Sequence, residues 1–189
     1  MSGVAAVVLY ALAAPRDRGL DDLLGTPGAT ALREELALGA RRWASRVSPD
    51  VAFEATTIGA ASMALHDHDG PVLLVAPDVP RLDDALARAA LADLEDGALV
   101  VMAPTADGTP YLVGVPRADP ELLDRVGAPF EGFADDPALR DAGVGMLRSE
   151  RRLVTPDDAR AYAADPCAHE DLLRHLQPLL QFPGSAADR

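Results

Sequence analysis

Residues 72–82 read V-L-L-V-A-P-D-V-P-R-L. The unbroken apolar run from Val72 to Ala76 lies between Gly70-Pro71 and Pro77-Asp78. That pattern predicts a strand buried on both faces, with a polar loop at its carboxyl end. Downstream, Leu86, Ala90, Leu91 and Leu94 recur at helical spacing and predict a helix over about 83–94. Asp96-Gly97 then leads into an apolar strand over 98–103, and Asp107-Gly108 makes a turn into a further strand over 111–115.

Upstream, Val4 to Tyr10 is a short apolar run that reads as a buried strand. The Pro/Gly/Asp-containing stretch from Ala14 to Gly28 reads as a long loop. Thr26-Pro27 then has the pattern of an N-cap and first helical residue, and Leu32, Leu36, Ala40, Trp43 and Val47 recur at helical spacing until Pro49. A second strand is predicted over 51–57 and a short helix over 60–66. Near the other end, Thr155-Pro156-Asp157-Asp158 has the pattern of a capped helix start, and residues 172–180 predict a last amphipathic helix. Alternating strands and helices imply an α/β fold, a three-layer α/β/α sandwich around a mostly parallel sheet. No internal repeat or low-complexity linker divides the chain. One domain over 1–182 and a frayed tail over 183–189 are expected.

In such sheets, ligands bind beyond the carboxyl ends of the strands, so the loops after Tyr10, Ala76 and Ala103 are where chemistry is expected. Composition narrows the ligand. A net charge of −13 with no clustered basic stripe argues against nucleic acid. All 17 basic residues are Arg and neither Lys nor Asn occurs, a bias that, with the abundant Ala, reads as a GC-rich coding sequence rather than a function. Cys167 is the only cysteine, which precludes an internal disulfide or thiolate cluster and fits a reducing cytosol. The apolar run from Val4 to Ala14 is followed, not preceded, by Arg16 and Arg18. That is the wrong charge order for a secretory signal, and a cytoplasmic protein without a membrane partner is expected.

Two of the three loops resemble a known family. Residues 72–82 resemble the V-L-L-I-G-T-D-x-P-x-L strand and loop of GT-A-type glycosyltransferase-like proteins, a bacterial family largely of unknown function within the nucleotide-diphospho-sugar transferase superfamily. Residues 104–114, P-T-A-D-G-T-P-Y-L-V-G, are similar to its P-A-E-D-G-G-Y-Y-L-I-G, and Thr155 to Asp158 resemble its D-T-P-E-D. The resemblance implies a nucleotide or nucleotide-sugar ligand. It also implies Mg²⁺ or Mn²⁺ held by Asp78, and a donor sugar facing Asp107 and Gly108. Asp107-Gly108-Thr109 also matches the D-G-T of a related guanylyltransferase family acting on 2-phospho-L-lactate.

The departures are equally specific. Where the family carries a basic grip, P-G-x-x-K-T-R-L, this chain has P-R-D-R-G-L-D-D-L-L over 15–24, leaving Arg16 and Arg18 as candidate phosphate contacts beside Asp21 and Asp22. Val154 stands where the family's second metal-binding Asp is expected, and Ala106 and Thr109 replace a Glu and a Gly.

Other readings stand beside these. Asp78 reads equally as a turn residue before Pro80, and Asp107-Gly108 as an ordinary tight turn. Arg151-Arg152 reads as a solvated pair, with an anion site as the alternative if it faces the cleft. His66-Asp67-His68-Asp69 reads as a polar turn at a helix end rather than a metal site, since further ligands are lacking. Two functions follow: a metal-dependent nucleotidyl- or glycosyltransferase, or an inactive binding or regulatory module that keeps the fold.

Overall fold

The computed structural model describes residues 3–126 and 143–180, so the expected tail lies outside the described residues. The described strands are β1 (Ala5–Leu9), β2 (Ala52–Ala55), β3 (Val72–Val75), β4 (Val100–Pro104), β5 (Pro110–Val115) and β6 (Val144–Met146). They form one six-stranded sheet in the order β2-β1-β3-β5-β4-β6. The decisive stretch behaves as its composition predicts: β3 is interior, parallel to β1 on one side and antiparallel to β5 on the other. Its residues Val72, Leu73, Leu74 and Val75 are buried, with Val75 opposite Val8 of β1 and Leu112 of β5.

β5 is the one described strand that runs against its neighbours, because only residues 105–109 join it to β4. A connection that short can close a hairpin but cannot make a parallel crossover. The described helices are α1 (Arg18–Val47), α2 (Ile58–Ala64), α3 (Asp84–Glu95), α4 (Pro120–Val126), α5 (Pro156–Ala163) and α6 (Glu170–Leu180). α1 and α3 pack against each other and the sheet, and α2 and α4 do likewise, which gives the three layers. The sheet narrows under α3: a Cβ at Gly114 would meet Leu73 Cδ2 at 3.0 Å and Leu94 Cδ1 at 3.4 Å.

One expectation is corrected, and two elements are added. The loop expected over 14–28 is helical from Arg18. Asp17 caps it by accepting from the Gly19 N–H at 2.6 Å, and Gly25, at φ 71°, breaks the helix just before Thr26-Pro27. Leu20 overrides the loop-like composition because it is fully buried in a second core with Leu32, Leu36, Leu153, Tyr162 and Leu176. The short strand β6 and helix α4 are additions that the sequence reading did not anticipate. Three and seven residues carry too little periodicity to stand out in sequence.

Trp43 joins the layers. It is fully buried in the main core, and its indole N–H donates to the carbonyl of Asp83, the α3 N-cap, at 2.9 Å. Trp43→Ala should cost about 3–5 kcal/mol through the cavity it leaves. Trp43→Phe should cost less while still leaving the Asp83 carbonyl without its donor, a difference that urea denaturation of both variants measures.

Candidate functional site

β1, β3 and β4 run in the same direction, so the loops that follow them meet at one edge of the sheet. Asp78, from the loop after β3, stands at their centre. Its Oδ2 accepts the backbone N–H of Ala14 at 2.7 Å, from the loop after β1. Its Oδ1 accepts from Arg152 Nη1 at 2.5 Å, and its own carbonyl accepts the Leu153 N–H at 3.0 Å. Arg152 Nη2 reaches across to the Pro110 carbonyl at 2.9 Å and Thr109 Oγ1 at 3.4 Å, tying in the β4–β5 hairpin. Asp78 and Asp107 therefore share the same carboxyl-end edge, as the resemblance requires.

The ion pair is buried, with side-chain exposures of 15% for Asp78 and 6% for Arg152. The expectation of a solvated Arg151-Arg152 pair is thus corrected at Arg152. Its pairing partner lies 74 residues away and left no local signal in the sequence. Burial pushes the Asp78 carboxyl above the ordinary aspartate value, and the Arg152 charge and the Ala14 N–H pull against that rise.

Asp107 organises its own hairpin. Its Oδ1 accepts from the hydroxyls of Thr105 and Thr109 and from the Thr109 N–H at 3.0 Å. Gly108 takes the positive φ of 82° that the turn requires. The Thr105 hydroxyl, followed by the Thr109 donors, holds the Asp107 carboxyl down at about 2. This is the geometry of a locked turn, exposed at its tip.

Of the expected basic contacts, Arg16 lines a narrow apolar cavity of about 180 Å³ together with Asp78, Leu153 and Val154. It pairs with Asp21 at 2.9 Å. Arg33, which the sequence did not single out, holds the other oxygen of Asp21 at 2.8 Å and lines the same cavity. Both guanidinium groups hold the Asp21 carboxyl below its ordinary value, Arg33 foremost, so Asp21 is neutralised where it stands. Arg18 is exposed and lies outside this cavity. Arg151 and Arg152 line an adjoining cleft of about 400 Å³ with Ala14, Asp17, Thr105, Asp107 and Thr155. Asp158 also lines it, in a reciprocal capping box with Thr155. His66 and Asp67 form an exposed pair elsewhere.

These residues offer a divalent ion few free oxygens of their own. Both Asp78 oxygens already accept hydrogen bonds, Val154 offers no ligand, and among the described residues no three His, Cys, Asp or Glu side chains converge. A hard cation needs several oxygens at once.

Residues 36–128 match a bacterial family described as an uncharacterized protein conserved in bacteria (DUF2064). That segment contains both Asp78 and Asp107 but not Arg152. A crystal structure from Desulfovibrio desulfuricans G20, described as a "putative nucleotide-diphospho-sugar transferase", is 20% identical; 96% of this chain covers 98% of that one, with a TM-score of 0.70. The chain has a GT-A-like, nucleotide-diphospho-sugar transferase fold. Lower similarity extends to a Mycobacterium sp. strain JC1 homologue of Mycobacterium tuberculosis rv0371c, at 20% identity, 90% and 97% coverage and a TM-score of 0.47. Rv0371c from M. tuberculosis H37Rv itself is 16% identical, at 87% and 99% coverage and 0.48. No curated protein matches the sequence.

Two outcomes test this GT-A-like edge. Asp78→Ala leaves Arg152 buried without its counter-charge and should cost about 3–5 kcal/mol, well above the loss of an exposed turn carboxylate. Because the folded-state value of Asp107 lies below its unfolded one, its contribution is complete above about pH 4 and disappears as pH falls towards 2. Asp107→Asn should therefore flatten the acid limb of a stability–pH curve over that window, lowering stability most at pH 7, where the contribution is complete, and least near pH 2.

Proposed function

We propose that this chain is a binding or regulatory module on a nucleotide-diphospho-sugar transferase fold, one that takes a nucleotide or nucleotide sugar weakly and does not perform metal-dependent transfer. The Asp78–Arg152 ion pair carries the reading. The carboxylate that the resemblance assigns to a metal is committed to a side chain of the protein itself. Without a bound ion, a triphosphate would bring about four negative charges to an edge already bearing Asp17, Asp107 and Asp158. The protein is proposed to act in the cytoplasm as one domain, in keeping with Cys167 as an exposed free thiol. No described helix is long and apolar enough to cross a membrane.

A thermal-shift panel of nucleoside triphosphates and nucleotide sugars, each with Mg²⁺, Mn²⁺ or EDTA, tests the reading. A ligand at a hundredfold excess over its Kd adds about 2.7 kcal/mol, or roughly 5–10 °C in a domain of this size. The expected shifts at millimolar ligand are well below that and the same in EDTA, with no transfer product on prolonged incubation. A metal-dependent shift at micromolar nucleotide would restore the transferase reading.

A further inference from the structure

In place of a metal, Asp78 holds a guanidinium. Arg152 is placed by two strong anchors, Asp78 Oδ1 at 2.5 Å and the Pro110 carbonyl at 2.9 Å, and its side chain is only 6% exposed. Those anchors engage Nη1 and Nη2. Its Nε, also buried, finds no acceptor among the described residues. Buried N–H groups are nearly always paired, so Arg152 keeps donor capacity that the described residues do not use. Arg152 lines the cleft of about 400 Å³ that Arg151 also lines. Arg151 is 59% exposed, and its one ion-pair contact among the described residues, with Asp158, is a long 3.5 Å. It is therefore able to turn towards a bound anion. A guanidinium fork suits the paired oxygens of phosphate or carboxylate.

We propose that Arg152, fixed by Asp78, is the resident cation of this site, and that with Arg151 it binds one compact oxyanion, a phosphate or carboxylate group, without a divalent ion. This rests on the metal-independent reading above and adds the ligand chemistry. The three acids in the cleft set the size limit. Asp17 accepts the Gly19 N–H, Asp107 the Thr105 and Thr109 donors, and Asp158 the Val154 and Thr155 N–H groups together with the Thr155 hydroxyl. Three carboxyl groups in the cleft leave room for a single anionic group beside the two arginines and disfavour a polyphosphate.

The probes are inorganic phosphate and acetate, titrated separately in EDTA against sodium chloride of equal ionic strength and read by thermal shift and calorimetry. Arg152→Lys keeps a positive charge facing Asp78 but removes the fork and Nε, and Arg151→Gln leaves the buried pair untouched. The wild-type chain should bind at least one probe in EDTA, unchanged by added Mg²⁺. Affinity should fall tenfold or more in Arg152→Lys and severalfold in Arg151→Gln. If neither probe binds, or both variants bind as the wild type does, the oxyanion site is overturned while metal-free weak nucleotide binding stands. If either probe binds only with Mg²⁺, the oxyanion site and the metal-independent function both fall.

Discussion

A charge buried in protein must find its opposite, because the desolvation of an isolated carboxylate or guanidinium exceeds what packing returns. At the carboxyl edge of this sheet the requirement is met once, by Asp78 and Arg152. The pair joins the loop after β1, through Ala14, to the loop after β3, the β4–β5 hairpin and the segment leading into α5. The neighbouring geometry follows from that junction. The Leu153 N–H reaches the Asp78 carbonyl, Leu153 enters the second core, and the Thr155 capping box starts α5 in the position that packs it against α1 and α6.

The same pair changes what the fold can do. A carboxylate at the end of an interior strand is well placed to share a hard cation with phosphate oxygens. Here its oxygens are filled by a guanidinium and a backbone N–H, and the nearby position occupied by Val154 is apolar. The positive charge paired with that carboxylate is therefore one carried by the chain itself.

The acids around the edge are each held by local donors. Asp107 is locked by two threonines, and Asp21 is neutralised between Arg16 and Arg33. Of the two candidate phosphate contacts, Arg16 lines the apolar cavity and Arg18 is exposed. An acidic chain with no lysine can still present positive charge where a specific partner positions it, as Asp78 positions Arg152, and net composition has little bearing on that.

The local sequence determined the strands and helices whose signal is self-contained. Val72 to Val75 are apolar without interruption, Asp83 and Thr155 are caps by side-chain chemistry, and Asp107-Gly108 closes a hairpin by turn geometry. It also set the three loops of the site, since the carboxyl ends of parallel strands follow from topology alone. The tertiary structure decided the rest. Leu20 became helical because a distant core buries it, and β6 formed because β4 offered it an edge. Arg152 became buried because Asp78, remote in sequence, supplies its counter-charge. Residue types and spacing record what a side chain is able to do, but pairing at long range depends on which loops the sheet brings together.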